Sequence, residues 1–417
     1  MTTRTRPAGR RDSDPGGPRI AVFTHDTFGL GHVRRCLHIV GALAEREPNA
    51  AILFITGSPA LRIFEGLPQN ADLLKIPTIA RTGARSHRPP HLPLPLAQIT
   101  SLRARSIREA LLEFAPDVLL VDNFPLGARG ELLGALRELR RSPTRVVLGL
   151  RDILDHPDVV RRDWSRQGIY DALDRYFDRI LVYGVPEILD HEEAYALPGP
   201  VAERLRYCGY ITPAKPCPED GSGPALEPPF LLATGGGGGD AYPLLSAFLG
   251  ALPLLPERGA AVFTGPLMSP LLRGRLDAML NGRRDVVMTD YVPDLRVYMR
   301  AAELVVAMCG YNTAAEIIAT GARALVVPRT WRYGEHARGP AAGAEWEQRM
   351  RAEALARLGR IDVLDPDELS PERLAEGIGA ALSAPRPETP ASLDTGGLER
   401  ATQEILALAG SGRSEVV

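Results

Sequence analysis

Residues 230–240 read Phe230-Leu231-Leu232-Ala233-Thr234-Gly235-Gly236-Gly237-Gly238-Gly239-Asp240. The first five form an apolar run of the length of a buried strand, the glycines form a turn, and a helical stretch opens near Ala241. Without Cβ atoms the turn can bring its backbone N–H groups against an anion, and the positive end of the helix dipole arrives at the same point. A diphosphate fits such a turn. A merely flexible turn is the alternative, but the position between a strand and a helix favours the phosphate reading. No Gly-Lys-Ser/Thr follows, so this is not a P-loop.

The same grammar runs outward in both directions. Downstream, strands are expected at Ala260–Thr264, Val286–Thr289, Leu304–Met308 and Ala324–Pro328. Upstream, a first series is expected at Ile20–His25, Ala51–Ile55, Val118–Asp122, Val146–Leu150 and Ile180–Tyr183. Amphipathic stretches separate these runs; Val33, Leu37, Val40 and Ala44, for example, share one helical face. The fold class is therefore α/β, with two Rossmann-like sheets in tandem. Pro-rich segments punctuate them. The expected domains are residues 1–18 as a disordered tail, 19–211 as the first α/β domain, 212–228 as a linker and 229–383 as the second domain. Residues 384–417 form a further linker and a final helix that returns to the first domain.

Composition agrees with two cores, since 417 residues exceed what one ordinary core organises. Lys and Arg total 49 against 51 Asp and Glu, a formal charge of -2, which gives no global field for a nucleic-acid partner. Cys36, Cys208, Cys217 and Cys309 show neither disulfide nor zinc spacing, so a cytoplasmic setting is expected. No apolar run is long enough to span a membrane, and no signal-peptide core follows the N-terminal arginines. Peripheral membrane contact stays open.

The first half has its own strand-to-helix turn: His25, Asp26, Thr27, Phe28, Gly29, Leu30, Gly31, His32. Ligands of open α/β sheets sit beyond the carboxyl ends of strands, so this turn and Asp122, at another strand end, are candidates for chemistry. An imidazole with an ordinary pKa near 6.5 can serve as a base for transfer to a hydroxyl. His32 is the preferred base and Asp122 the second, with His25 and Asp26 in reserve on the acceptor side beside Gly29 and Gly31. A packing role for His32 and a turn role for Asp122 are the competing readings.

Further motifs follow in order: Tyr291-Val292-Pro293-Asp294, Gly310-Tyr311-Asn312-Thr313-Ala314-Ala315-Glu316, Gly321, Pro328-Arg329 and Glu347-Gln348-Arg349-Met350-Arg351-Ala352. From Thr234 to about Leu364 this order resembles the C-terminal donor domain of MurG-like, family 28-type glycosyltransferases. The resemblance implies a GT-B fold, two Rossmann-like domains facing across a cleft. It also implies inverting transfer from a nucleoside-diphosphate sugar, a UDP-sugar, without a metal or other cofactor. By that resemblance Thr234, Gly235, Gly236, Gly237, Gly238, Gly310, Asn312 and Thr313 bind the diphosphate, Val292 meets the base, Glu316 the ribose, and Glu347 with Gln348 the sugar. Physically, a carboxylate one turn after Asn312 can accept both ribose hydroxyls, and helix-start N–H groups can meet phosphate. N-capping by Asn312 and a solvated Glu316 are the plainer readings. Between Pro328 and Glu347 an insert with Trp331, Arg332, Tyr333, Glu335, His336 and Arg338 departs from the family pattern and leaves the sugar open; loop arginines such as Arg329 are usually solvated.

The acceptor, a small molecule or a lipid-linked one, is not named by any motif. Ala80–Ala97, rich in Arg, His and Pro, reads as a long irregular loop over the acceptor cleft. Asp152-Ile153-Leu154-Asp155-His156-Pro157 reads as a cleft lining or as a turn. The rival functions are a nucleotide-sugar hydrolase or 2-epimerase on the same fold, and a non-catalytic nucleotide-sugar-binding subunit.

Overall fold

The computed structural model describes residues 16–25, 30–81, 87–213, 226, 229–280, 282–292, 294–329, 346–385 and 393–410. The chain forms two compact units: Met1–Ala214 with Gly396–Val417, and Lys215–Thr395.

Unit 1 is built on a seven-stranded sheet in the order β3-β2-β1-β6-β7-β8-β9, all pairs parallel. Its strands are β1 (Arg19–Thr24), β2 (Ala51–Thr56), β3 (Ala71–Lys75), β6 (Val118–Asp122), β7 (Arg145–Arg151), β8 (Arg179–Tyr183) and β9 (Leu205–Tyr207). Strand order reverses between β1 and β6, so a crevice opens where these two neighbours send their connections to opposite sides. Ile20, Ala21, Val22 and Phe23 are wholly buried and pair with Val118, Leu119, Leu120 and Val121, the continuous apolar composition expected of strands covered on both faces. Helix Gly31–Arg46 covers the sheet with Val33, Cys36, Ile39, Val40 and Leu43. The final helix, Gly397–Gly410, packs on that helix. Arg400 Nε donates to the Cys208 carbonyl at 2.6 Å, and Gly397 N–H to that of Tyr210 at 3.2 Å. A Cβ on Gly397 would stand 2.2 Å from the Gly209 carbonyl oxygen, so the start of this helix requires glycine.

Unit 2 repeats the plan with six strands in the order β12-β11-β10-β13-β14-β15, again parallel throughout. These are β10 (Phe230–Thr234), β11 (Gly259–Phe263), β12 (Val286–Thr289), β13 (Leu304–Ala307), β14 (Ala324–Val326) and β15 (Asp362–Val363). Here the order reverses between β10 and β13.

Three edge or near-edge strands, β3, β9 and β15, were not expected from sequence. β3 (Ala-Asp-Leu-Leu-Lys) is half exposed, and β9 and β15 have three and two residues, too short to show a periodicity. Of the expected irregular stretch Ala80–Ala97, residues 89–95 are irregular and carry no helix or strand, and residues 82–86 lie outside the described residues. A two-stranded antiparallel hairpin joins β4 (Ala80–Arg81) to β5 (His87–Arg88), and helix Leu96–Phe114 begins before the stretch ends. Arg85 lies outside the described residues. The expected tail over residues 1–18 is already anchored at Gly17, whose N–H donates to the Asn49 carbonyl at 3.0 Å. Asp152-to-Pro157 is a turn: Asp152 accepts from Ile153 N–H and from the Tyr210 hydroxyl, and His156 caps helix Pro157–Gln167.

Candidate active site

The glycine turn of unit 2 sits at its topological switch point. Gly236 and Gly238 have φ of +57° and +91°, in the left-handed region. A Cβ on Gly238 would lie 2.3 Å from the Thr264 carbonyl oxygen, and one on Gly235 2.3 Å from the Ala241 Cβ. The turn is therefore packed closely against the β11 end. Gly235 N–H donates to the Phe263 carbonyl, Gly236 N–H to Thr234 Oγ1 and Gly238 N–H to the Gly235 carbonyl. The N–H groups of Gly237 and Gly239 make no hydrogen bond among the described residues.

Across the switch point, β13 leads into helix Tyr311–Thr320. Its N-cap is Gly310, so Asn312 is not the cap, and the N–H groups of Asn312 and Thr313 belong to the first turn. Thr313 Oγ1 lies 3.7 Å from the position a Cβ on Gly236 would take, which brings the glycine turn and this helix start together. Two sets of backbone N–H groups and a helix dipole converge on one place, the composition of an anion cradle. Glu316, on the same helix, is 5% exposed and so is not a solvated residue. Val292 is half-buried just beyond β12, and Pro293 lies outside the described residues.

Gln348 and Glu347 open helix Glu347–Arg357 and are both buried. Gln348 Oε1 accepts from the Arg329 N–H at 3.0 Å, which turns its amide nitrogen toward Gly310, 3.9 Å from that glycine's would-be Cβ. Glu347 accepts from Arg351 Nη2 at 2.9 Å, and Arg351, wholly buried, also donates to the Cys309 carbonyl at 2.9 Å. Arg329 is not a solvated loop arginine: its Nη1 bonds Asp240 Oδ2 at 2.8 Å. The insert residues Trp331, Arg332, Tyr333, Glu335, His336 and Arg338 lie outside the described residues, as do Asp26 and Gly29 in unit 1.

In unit 1 the switch point brings His32 and Asp122 together. Gly31 opens helix Gly31–Arg46, and His32, its second residue, places Nδ1 2.6 Å from Asp122 Oδ2. Arg35, one turn on, sends Nε and Nη2 to Asp122 Oδ1 at 3.2 and 2.6 Å and lies over the Tyr183 ring. Arg35 Nη2 is also 3.0 Å from His32 Nδ1. One nitrogen cannot both donate to Asp122 and accept from Arg35. The shorter contact, to an ionised carboxylate, assigns the proton to Nδ1 and leaves the lone pair on Nε2. Asp122 is wholly buried; burial alone would raise its pKa, but Arg35 and then His32 outweigh it and hold the carboxyl far below its usual range. Asp122, the second candidate base, does not reach solvent and has both oxygens engaged, Oδ2 by His32 and Oδ1 by Arg35. Sequence reasoning missed Arg35, whose signal was a charged residue three positions after His32 on the helix face that packs on the sheet.

His25 is buried at the end of β1, its ring centroid 4.8 Å from that of His32 and 4.1 Å from that of Phe124. Burial lowers the pKa of His32 despite Asp122, and burial followed by the His32 charge lowers that of His25 well below 6.5. Both rings are therefore neutral in the fold at pH values where the unfolded chain is protonated. The stability they contribute is fully present above about pH 6.5 and is lost as pH falls through their folded pKa values. Accordingly the thermal midpoint is expected to fall between pH 7 and 5, and the His25→Gln variant to show a shallower fall. Parallel curves for the two proteins in calorimetry across that range would remove His25 from this account.

Residues 236–396 match the glycosyltransferase family 28 C-terminal domain. The UDP-N-acetylglucosamine–N-acetylmuramyl-(pentapeptide) pyrophosphoryl-undecaprenol N-acetylglucosamine transferase of Alkalilimnicola ehrlichii is 26% identical over 339 residues, 78% of this chain and 87% of that one. The chain is a glycosyltransferase of GT-B fold that carries a family 28 C-terminal domain and is similar to MurG. The crystal structure of MurG from Acinetobacter baumannii superposes with a TM-score of 0.56 at 15% identity, covering 95% of this chain and 100% of that one. A putative UDP-N-acetylglucosamine 2-epimerase from Listeria monocytogenes superposes with 0.61 at 14% identity over 92% and 94%, a likeness of fold alone. The matched domain of this MurG-like glycosyltransferase begins at Gly236 and takes in the helix start at Gly310 and the Glu347–Gln348 pair.

Proposed function

We propose that this MurG-like glycosyltransferase moves a sugar from a UDP-sugar to an acceptor hydroxyl, with inversion at the anomeric carbon and without a metal. The observation that carries the reading is the anion cradle formed where the Gly236 turn meets the Thr313 helix start. The acceptor O–H gives its proton to His32 Nε2, its oxygen bonds the anomeric carbon, and the bond from that carbon to the diphosphate oxygen breaks on the opposite face. The charge appearing on the leaving UDP is met by the N–H groups of Gly237 and Gly239 and by the positive dipole end of the helix that starts at Gly310. Preorganised donors of this kind can do the work that a divalent cation does elsewhere.

Glu316 is proposed to accept the ribose hydroxyls, and Gln348 to present its amide nitrogen to a hydroxyl of the transferred sugar. On this assignment Glu316→Ala weakens UDP binding by about tenfold, the loss of charge-assisted hydrogen bonds. Titration calorimetry of the folded variant checks it, and an unchanged affinity would sink the ribose assignment.

The relative from Alkalilimnicola is named for a lipid-linked acceptor, and a lipid-linked acceptor is proposed for this chain as well. Leu92, Leu94 and Leu102 stand exposed in unit 1, in a stretch where Arg88, His91 and Arg105 are also exposed, the apolar and basic composition such an acceptor needs. No helix among the described residues is long and apolar enough to cross a membrane. The deciding experiment incubates the full chain with UDP-N-acetylglucosamine, with and without a lipid-diphosphate acceptor, and follows products by NMR. Acceptor-dependent release of UDP with an inverted glycoside supports the proposal; equal release without acceptor points to hydrolysis or epimerisation.

A further inference from the structure

Arg329 and Asp240 form an ion pair that the nucleotide-sugar reading does not use. Asp240 directly follows Gly239, whose N–H has no partner among the described residues, so the carboxylate stands at the edge of the anion cradle. Arg329 lies beyond β14, with its guanidinium on Asp240 at 2.8 Å and its own N–H on Gln348. It is thus tied at once to the glycine turn and to the residue aimed at the Gly310 helix start. A second arginine among the described residues here, Arg351, is wholly buried and is fixed to Glu347 and the Cys309 carbonyl. The Arg329–Asp240 pair differs in kind: its side chains are 15% and 10% exposed, so water and a ligand oxygen can compete for the guanidinium.

A carboxylate beside a diphosphate site opposes the ligand's charge and would lower its affinity unless a cation stands between them. Backbone N–H groups and helix ends supply partial charges, roughly half an elementary charge at each helix end, against the multiple charges of a nucleoside diphosphate. A planar guanidinium suits phosphate oxygens at least as well as it suits a carboxylate.

We propose that Arg329 is an exchange cation of the donor site: it passes from Asp240 to the nucleoside diphosphate when donor binds, and Asp240 takes it back as the product diphosphate leaves. This rests on the nucleotide-sugar reading given above. Asp240 then acts against tight product binding, and the pair sets how readily UDP departs after each transfer.

The test compares the full-length wild type with Arg329→Gln and Asp240→Asn, near-isosteric changes, in calorimetric titrations with UDP and with uridine. Uridine lacks the phosphates and reports whether the rest of the site is intact. For Arg329→Gln the expected result is a loss of about tenfold or more in UDP affinity with uridine binding unchanged. For Asp240→Asn the expected result is the opposite sign, UDP bound several-fold more tightly, with product inhibition by UDP strengthened by the same factor. A strut that only braces the loop would weaken UDP binding in both variants, and that result would overturn the proposal. So would unchanged UDP affinity in Arg329→Gln, or an equal loss for UDP and uridine. Failure of the wild type to bind UDP at all would instead overturn the nucleotide-sugar reading, and this inference with it.

Discussion

Replacing His32 with alanine is expected to slow transfer by about 10²–10⁴-fold, with UDP affinity unchanged. The base proposed here donates its Nδ1–H to the Asp122 carboxylate, 2.6 Å away, so Nε2 is the nitrogen that receives the acceptor proton. Alanine removes that proton acceptor and leaves the residues of the glycine turn unchanged. The loss should therefore appear in kcat and not in donor binding. A pH profile gives an independent check: because burial lowers the His32 pKa, the neutral ring persists below pH 6.5 and the acid limb of the wild-type rate should lie below that value. A variant that turns over at the wild-type rate would remove His32 from the chemistry.

Asp122→Asn should be as damaging to the rate and should add a cost in stability. The asparagine amide can still accept from Arg35, but it no longer fixes the His32 proton on Nδ1, and the wrong tautomer turns an N–H toward the acceptor. A loss of about 10³–10⁴-fold in kcat is expected for such a change. Arg35 is 1% exposed and its guanidinium then loses its counter-charge, which costs about 3–5 kcal/mol of unit 1 stability. Chemical denaturation measures the second effect and steady-state kinetics the first. If the variant were as stable as the wild type, Arg35 and Asp122 would not be the buried pair described here; if stability fell but kcat did not, Asp122 would brace the fold without serving His32. His32→Ala leaves the Arg35–Asp122 pair intact and so should lose rate with much less stability, which separates the two roles.

Much of the architecture was written in the chain in local terms. A continuous apolar run such as Phe230–Ala233 can only be a covered strand when glycines end it and a helix follows, and the repetition of that pattern in both halves is enough for two Rossmann-like units. Core strands were legible because burial on both faces leaves an unbroken apolar signature. Edge strands such as β3 and β15 were not, because half-exposed or two-residue pairings are set by the neighbour and not by their own composition.

The same division runs through the site. Glycines at Gly235 to Gly239 declared a turn with close backbone approach, and His32 declared itself by standing at a helix start. What each side chain does there was decided by packing over long sequence separations. Asp122 comes 90 residues after His32, and only the β1–β6 reversal makes it the partner of the imidazole rather than a second base. Arg329 comes 89 residues after Asp240, and only the β10–β13–β14 order carries it back to the glycine turn. Residue types and local turns are fixed by propensities that act within a few positions, whereas ion pairs, tautomers and buried charges depend on which strand ends the sheet sets side by side.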